Sequence, residues 1–298
     1  MTTMLKTLHE FSSVSMDTMV NVTIVSDVPR SEIEPAVQRA LAWFEAVERI
    51  CTRFDPTSEV MQLLQRVGRR VHVSTLLFEV VAFAMDLAEQ TDGAFDPTIG
   101  ARLEGLGFAT NYRTGDRVRS GIDPHGLSYR DVRLDRHART VRLRRPLVLD
   151  LNAVAKGLAI DLAAAELRDF ADLCVEAGGD LFVRGHNAAG EAWHVGIQHP
   201  RADGLLARTL HVTDTAVCTS GDYERRSASV GHILDARTQQ PVTDLASVTV
   251  VAPTAMAADG LSTAAMVLGR PGAHAFLEAQ GVGALLIAPD GDVTTVNL

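Results

Sequence analysis

The stretch Leu147-Val-Leu-Asp150-Leu-Asn-Ala-Val-Ala-Lys156-Gly157 joins a short apolar strand to a helix that we predict from about residue 154 to residue 170. A strand, a turn of small residues and a helix N-terminus form a natural anion site in this order. Lys156 could add a positive charge for a phosphate group, although the glycine spacing is not that of a Walker A motif. A helix cap beside a solvated lysine explains the same spacing equally well.

Outside this unit, the sequence predicts strands and helices that do not alternate strictly. Apolar residues at every second position predict strands at 20–25 and 71–73. Apolar residues at helical intervals predict helices at 31–53 and 74–91. Ser31 and Glu34 have the spacing of a capping box at the start of the first helix. This mixture favours an α+β fold with a largely antiparallel sheet over a doubly wound fold.

The second half of the chain continues the same mixture. Glycine, proline and polar residues punctuate 93–126, which predicts a long loop with little regular structure and a functional role. Further strands are predicted at 132–134, 140–143, 174–180, 193–198, 209–212, 216–219 and 247–251, and helices at about 254–268 and 272–278, before a terminal hairpin of 283–288 and 294–297. We find no repeat and no linker, so we expect one domain over 1–298, with two lobes around a cleft as a variant.

Composition and charge exclude several classes of protein. The formal net charge of −9 argues against a nucleic-acid or anionic-lipid partner, since both need clustered Lys and Arg. Three widely spaced cysteines without a C-x-x-C pair indicate neither a disulfide framework nor a zinc site, which suits a reducing cytoplasm. The first ten residues have no apolar core of a signal peptide, and no segment reaches the roughly 18 apolar residues of a membrane span. We therefore expect a soluble, cytoplasmic protein without a membrane partner.

The predicted helix at 254–268 carries a candidate metal site. Asp259 and Thr263 are one helical turn apart on one face, with Ser262 beside them. A carboxylate and hydroxyls are hard-oxygen ligands, which Mg²⁺ takes while it shares its other positions with water and phosphates. Taken alone, the pair is better explained as an aspartate near a helix start and a threonine bonded back to a carbonyl.

Three other segments contain candidate functional residues. Gly178 and Gly179 follow a strand, where a sharp turn is the default interpretation. Phe95, in the segment 93–98, could stack on a planar ring or belong to the core. His232 is the best single candidate for proton transfer near neutral pH, although ten histidines dilute the inference.

Taken in order, these segments resemble the ApbE-like family, the FAD:protein FMN transferases, from Met16 to Gly269. The similar stretches are Met16-Asp-Thr18, Thr52-Arg-Phe54-Asp-Pro-Thr-Ser58-Glu59, Asp92-Gly-Ala-Phe-Asp96-Pro-Thr98, Asp150-Leu-Asn-Ala-Val-Ala-Lys156-Gly157 with Asp161, Ala177-Gly-Gly-Asp180, Thr219-Ser-Gly221, His232-Ile-Leu-Asp235 and Ala258-Asp259 with Thr263. Several motifs in one order are far more specific than any single motif.

The resemblance implies a fold, a chemistry and a set of site residues. It implies a T-fold-related α+β fold with an FAD cleft, and the transfer of FMN from FAD to a threonine hydroxyl, with release of AMP. Mg²⁺ would be held by the carbonyl of Ala153 and by Asp259, Ser262 and Thr263. FAD would be bound by Met16, Phe54, Ala94, Phe95, Asp96, Asp150, Lys156 and Leu234, with Lys156 near its pyrophosphate. His232 is the candidate base or positioning group for the threonine of an acceptor protein that carries a [DS]-G-A-[TS]-like segment.

The sequence departs from the family pattern at four positions. Asp17 and Asn152 each replace a glycine, and Ala236 and Gln239 alter the segment that follows the histidine. Two alternatives therefore stand beside the transferase: a protein of this fold that binds FAD, with pyrophosphatase activity only or with none, and a metal-independent structural paralogue. Many family members are exported lipoproteins, and the absence of their leader here favours a cytoplasmic form.

Overall fold

A computed structural model describes residues 6–222, 226–227, 230–231 and 233–298. The strands are β1 (Thr7–Ser15), β2 (Thr18–Ser26), β3 (Val71–His72), β4 (Val132–Asp135), β5 (Thr140–Leu143), β6 (Leu173–Ala177), β7 (Asp180–Arg184), β8 (Trp193–Gln198), β9 (Leu206–Val212), β10 (Thr215–Gly221), β11 (Arg226–Ser227), β12 (Val230–Gly231), β13 (Leu234–Asp235), β14 (Gln240–Pro241), β15 (Ser247–Ala252), β16 (Gly283–Ile287) and β17 (Val293–Val296). The helices are α1 (Arg30–Cys51), α2 (Glu59–Gln62), α3 (Thr75–Gln90), α4 (Gly100–Gly105), α5 (Asn152–Glu166) and α6 (Ala255–Gln280), with 3₁₀ turns at Leu63–Arg66 and Tyr129–Asp131.

Eight strands form the main sheet, in the order β1-β2-β6-β7-β10-β15-β16-β17. Neighbouring strands in this sheet run antiparallel, as do the strands of the four smaller sheets, so the predicted α+β class with antiparallel sheet is confirmed. Strand β10 lies inside the sheet, between β7 and β15, and it ends at the Thr219-Ser-Gly221 motif. The sheet therefore carries this motif on a strand that is hydrogen-bonded on both sides.

Both faces of the main sheet are covered. Successive residues of a strand point to opposite faces. In β10, Cys218 packs into the larger core together with α1, α3, α5 and α6, whereas Val217 packs with the β8–β9 hairpin through Ile197 and Leu210. The helical side is the one that carries the candidate site residues of α5 and α6.

Helices α5 and α6 cross at a distance that only glycine permits. A Cβ atom on Gly157 would lie 2.3 Å from the carbonyl oxygen of Ala255 and 2.6 Å from the Cα atom of Met256. Real Cβ atoms do not approach backbone atoms this closely, so any side chain at 157 would push the two helices apart. The glycine of the Lys156-Gly157 pair therefore serves helix packing.

The structure corrects several predicted elements. The prediction of a capping box at Ser31 and Glu34 is wrong. Helix α1 begins at Arg30 after Pro29, so both residues lie inside the helix. The predicted strand at 174–180 is two strands, β6 and β7, joined by Gly178 and Gly179 at positive φ, as the turn interpretation required. The predicted long loop contains α4, and strand β1 was not predicted. The break predicted between the last two helices is a kink of α6 at Gly269, where φ is 68°.

Candidate functional site

The crossing of α5 and α6 joins two of the predicted motifs. The carboxylate of Asp161, on α5, accepts hydrogen bonds from the backbone N–H groups of Ala255 (2.7 Å) and Met256 (2.9 Å) at the start of α6. In the opposite direction, Asp259 on α6 accepts a hydrogen bond at its Oδ2 from the N–H of Gly157 on α5, at 3.1 Å. Burial raises the pKa of Asp161, and the neighbouring Asp259 adds to this rise. Two aspartates thus fix the axial position of one helix against the other.

Three hydroxyl groups lie together beside this crossing. The Oγ of Ser220, at the end of β10, lies 2.8 Å from the Oγ of Ser262 and 2.9 Å from the Oγ1 of Thr263. Ser262 is fully buried and donates to the carbonyl of Asp259 at 2.9 Å, so the bond back to a helix carbonyl that we considered for Thr263 is made by Ser262. Thr263 is half-buried. Ser220 is the site hydroxyl that the sequence did not identify as such.

The donor atoms at the crossing suit a hard cation. In a regular helix the N–H of Gly157 points to the carbonyl of Ala153, so the Ala153 oxygen and the Asp259 carboxylate are both neighbours of this one donor. Oxygen atoms from a carboxylate, a carbonyl and hydroxyls are what Mg²⁺ takes, with its other positions left for water and phosphates. Among the described residues no group of three His, Cys, Asp or Glu could hold a metal. Ala153, Asp259, Ser262 and Thr263 therefore fit the predicted metal.

Lys156 points back to the sheet. Its ammonium group forms an ion pair with Asp180 at the start of β7, and Asp180 also accepts a hydrogen bond from the N–H of Thr219 at 2.8 Å. The Lys156 side chain is 23% exposed and that of Asp180 only 2%, which contradicts the interpretation as a solvated lysine. The pair places a positive charge next to the motif that carries Ser220.

Asp150 is held by an arginine that the sequence did not single out. The Arg53 Nε donates to Asp150 Oδ2 at 2.6 Å, its Nη2 donates to the carbonyl of Phe108 at 2.8 Å, and its guanidinium lies 4.1 Å from the centroid of the Phe54 ring. Both charged side chains are buried, with 4% of Arg53 and 10% of Asp150 exposed. Because a buried ion pair has to be fully partnered, this arrangement brings Phe54 and Asp150 together rigidly.

The Asp92–Thr98 motif folds around Asp96. Asp96 Oδ1 accepts hydrogen bonds from the N–H and the hydroxyl of Thr98, at 2.8 and 2.7 Å, and Oδ2 accepts one from the N–H of Tyr129 at 2.8 Å. Burial nevertheless raises the pKa of Asp96. Ala94 and Phe95 belong to the hydrophobic core, and Phe95 is only 7% exposed, which favours its core interpretation over ring stacking.

The carbonyl of Ala94 connects this motif to the segment that follows the predicted histidine. It accepts a hydrogen bond from the N–H of Ala236 at 3.0 Å. Leu234 and Asp96 then line one recess. His232 lies outside the described residues.

Met16 and Asp17 form the turn between β1 and β2. Their φ angles are 53° and 63°, and aspartate is one of the few residues that adopt this left-handed region readily, so Asp17 serves here in place of a glycine. The Oε2 of Glu48 accepts hydrogen bonds from the N–H of Met16 (3.2 Å), from the hydroxyl of Tyr112 (3.1 Å) and from Nη2 of Arg113 (2.6 Å). Glu48 therefore anchors the turn and the long loop to α1.

Asn152 stands at the start of α5, where the family pattern has a glycine. Its N–H donates to Asp150 Oδ1 at 3.1 Å and its Nδ2 lies 3.4 Å from Asp150 Oδ2. The side chain is exposed and reinforces the turn that precedes Ala153. The substitution is therefore compatible with the local backbone.

The crossing brings oxygen donors and a neighbouring lysine together, which is the chemistry that a divalent cation and phosphate groups require. Comparison with known proteins makes the assignment specific. The chain belongs to the ApbE family, since the model of that family matches residues 16–286.

Relatives in several bacteria agree. The chain is 33% identical to an FAD:protein FMN transferase of Treponema pallidum, over 92% of this chain and 82% of that protein. It is 32% identical to the protein of the same name in Salmonella typhimurium, over 74% of this chain and 67% of the relative. The names of both relatives are those of enzymes.

Solved structures are similar along nearly the whole chain. A crystal structure of the ApbE protein of Thermotoga maritima has a TM-score of 0.85 at 29% identity, and the match covers 98% of this chain and 97% of that one. The flavin transferase ApbE of Vibrio cholerae has a TM-score of 0.84 at 26% identity, with 98% of both chains covered. Within the described part of this chain, none of the helices combines the length and apolarity that crossing a bilayer requires.

Proposed function

We propose that this chain transfers FMN from FAD to a threonine hydroxyl of an acceptor protein, in a reaction that depends on Mg²⁺. The observation that carries the proposal is that α6 holds Asp259 against the Gly157 N–H and, one turn further on, Thr263 against the hydroxyl of Ser220. Membership of the ApbE family and the names of the relatives support the choice of FAD as the substrate. A location in the cytoplasm belongs to the same proposal and rests on the cysteine usage.

The residues of the crossing hold the metal and the phosphates. Asp259, Ser262, Thr263 and the carbonyl of Ala153 would hold Mg²⁺, which when bound neutralises the charge that grows on the phosphate oxygens. Lys156 provides a positive charge for the pyrophosphate of FAD. Asp180 orients the Lys156 ammonium through their ion pair. When the ammonium contacts the phosphate, it gives up part of its contact with Asp180.

The remaining predicted residues hold the flavin nucleotide. Asp96 and Leu234 share a recess, and Ala94 and Phe95 support it from the core. Phe54 and Asp150 are aligned by Arg53, and Met16 is aligned by Glu48. We place FAD along these segments, between the Met16 turn and the crossing of α5 and α6.

The transfer exchanges one bond at phosphorus. The hydroxyl oxygen of the acceptor threonine forms a bond to the phosphorus of the FMN half of FAD, and the bond from this phosphorus to the bridging oxygen breaks, so AMP leaves. The threonine gives up its proton, for which His232 is our candidate acceptor or positioning group. The product is FMN joined to the threonine through a phosphoester.

The test uses purified protein, FAD, Mg²⁺ and a peptide that contains Asp or Ser, Gly, Ala and Thr in order. We expect mass spectrometry to show a gain of one FMN less one water on the peptide, together with an equal amount of released AMP. FAD that binds without any mass gain on the peptide would favour the FAD-binding alternative, and AMP release without a mass gain would favour a pyrophosphatase. An unchanged rate for His232→Asn at saturating FAD would remove His232 from the reaction.

A further inference from the structure

Arg102 places a buried guanidinium nitrogen in the recess beside Asp96. The recess is lined by Asp96, Thr98, Ile99, Arg102, Leu127 and Leu234. Among the described residues this buried Nε atom has no hydrogen-bond partner, and the Arg102 side chain as a whole is half-buried. Neither the sequence motifs nor the proposed reaction gives Arg102 a function.

A buried arginine Nε without an acceptor lowers the stability of the fold unless another group accepts its hydrogen bond. A guanidinium cannot lose its proton under ordinary conditions, so its N–H donors stay donors. A buried donor without an acceptor carries its full cost of desolvation. Residues that cost stability where they stand are typical of functional sites. The missing acceptor is therefore expected on a ligand.

The surroundings of Arg102 indicate the chemistry of that ligand. Ile99, Leu127 and Leu234 line the recess with apolar surface, and the polar side chains that line it include Asp96, Gln239 and Arg102. A phosphate group would suffer repulsion from the Asp96 carboxylate. The recess has a volume of about 20 Å³, which is room for little more than one water-sized group. An acceptor atom on the edge of a planar heterocycle can therefore reach Arg102 there, while the rest of the ring stays outside the recess.

We propose that Arg102 is a binding and specificity residue for FAD, whose guanidinium donates to an acceptor atom on the edge of one of the two heterocycles of FAD. The inference rests on the proposed function for its choice of FAD. The flavin ring and the adenine ring both present such an edge, and they exist as separate ligands in riboflavin and AMP.

The experiment measures dissociation constants of riboflavin, AMP and FAD for the wild type, Arg102→Leu and Arg102→Lys. The matched control is Arg119→Leu, which removes the same charge from an exposed position of the same long loop. We expect Arg102→Leu to raise the dissociation constant of FAD about 10-fold or more. The dissociation constant of only one of the two smaller ligands, riboflavin or AMP, should rise by the same factor, namely the one whose ring edge contacts Arg102. Arg102→Lys should restore part of the affinity, and Arg119→Leu should match the wild type.

A second readout separates ligand binding from damage to the fold. Because the orphaned donor disappears, Arg102→Leu should unfold at the same temperature as the wild type or at a higher one, while FAD raises its unfolding temperature less. Unchanged affinity for all three ligands would overturn the inference, as would equal losses for riboflavin and AMP with a lowered unfolding temperature. A wild type that binds FAD but transfers no FMN would overturn the proposed function and leave Arg102 as a binding residue.

Discussion

The crossing of α5 and α6 and the recess around Asp96 are built in opposite ways. At the crossing, helix backbones meet directly through Gly157 and Ala255, and Asp161 and Asp259 bind N–H groups of the opposite helix. In the recess, side chains from the Asp92–Thr98 motif, α4 and β13 meet, and the buried Nε of Arg102 has no partner among the described residues. From this difference we infer that rigid packing shapes the crossing, our proposed metal site, whereas a ligand completes the recess, part of our proposed FAD site.

The largest effect is expected where the backbones touch. Gly157→Ala places a Cβ atom 2.3 Å from the Ala255 oxygen, which forces α5 and α6 apart. We expect a loss of about 1–3 kcal/mol in the free energy of unfolding and a near-complete loss of FMN transfer. The control is Gly105→Ala, since a Cβ atom at Gly105 meets nothing within 4 Å. Urea denaturation and the transfer assay check both, and a fully active Gly157→Ala variant would show that the crossing is not rigid.

A smaller effect is expected at the Met16 turn, which belongs to our proposed FAD site. Glu48→Gln removes the charge that holds the Met16 turn and Arg113, and a charge-assisted hydrogen bond contributes about 1.5–3 kcal/mol. We expect KM for FAD to rise roughly 10-fold while kcat changes less than twofold, because the crossing is untouched. Glu45→Gln, an exposed position on the same helix, is the control. A fall in kcat at unchanged KM would contradict the assignment of FAD binding to the Met16 turn and of the metal to the crossing.

The smallest effect concerns pH. Burial raises the pKa of Asp96 above its ordinary value of 3.8, so ionised Asp96 is less favourable in the folded than in the unfolded chain. Its contribution to stability is full below pH 3.8 and is lost as the pH rises through the raised folded pKa. We expect the slope of the free energy of unfolding against pH to be more positive in Asp96→Asn than in the wild type over the pH range just above 4, because the variant lacks this loss. Urea denaturation at several pH values checks this, and equal slopes would contradict it.

Much of the fold was predictable because its signals are local. Strand β8 was predicted with its observed bounds, and β16, β17 and α3 were predicted to within one residue or two at either end. Strand β1 was missed because it is an edge strand with exposed polar and apolar residues, and β7 because its short run follows the glycine turn directly. The capping box failed because α1 starts earlier than its polar residues suggested.

The candidate site was predictable only in part, for a related reason. Asp259 and Thr263 lie one turn apart in helix α6, as their spacing predicted, and their role in a metal site stays a prediction. Ser220 and Arg53 act on residues 43 and 97 positions away, so no local pattern marks them. The missing partner of Arg102 is a property of the folded chain alone.

The most direct test of the account is the Mg²⁺ dependence of FMN transfer in Asp259→Ala, beside Asp169→Ala as an exposed control with the same change of charge. Acceptor peptide, FAD and increasing Mg²⁺ are combined with each protein, and the flavinylated peptide is measured by mass spectrometry. The account predicts transfer that rises with Mg²⁺ in the wild type and in Asp169→Ala, and none at any Mg²⁺ concentration in Asp259→Ala. Transfer by Asp259→Ala with the Mg²⁺ dependence of the wild type would contradict it.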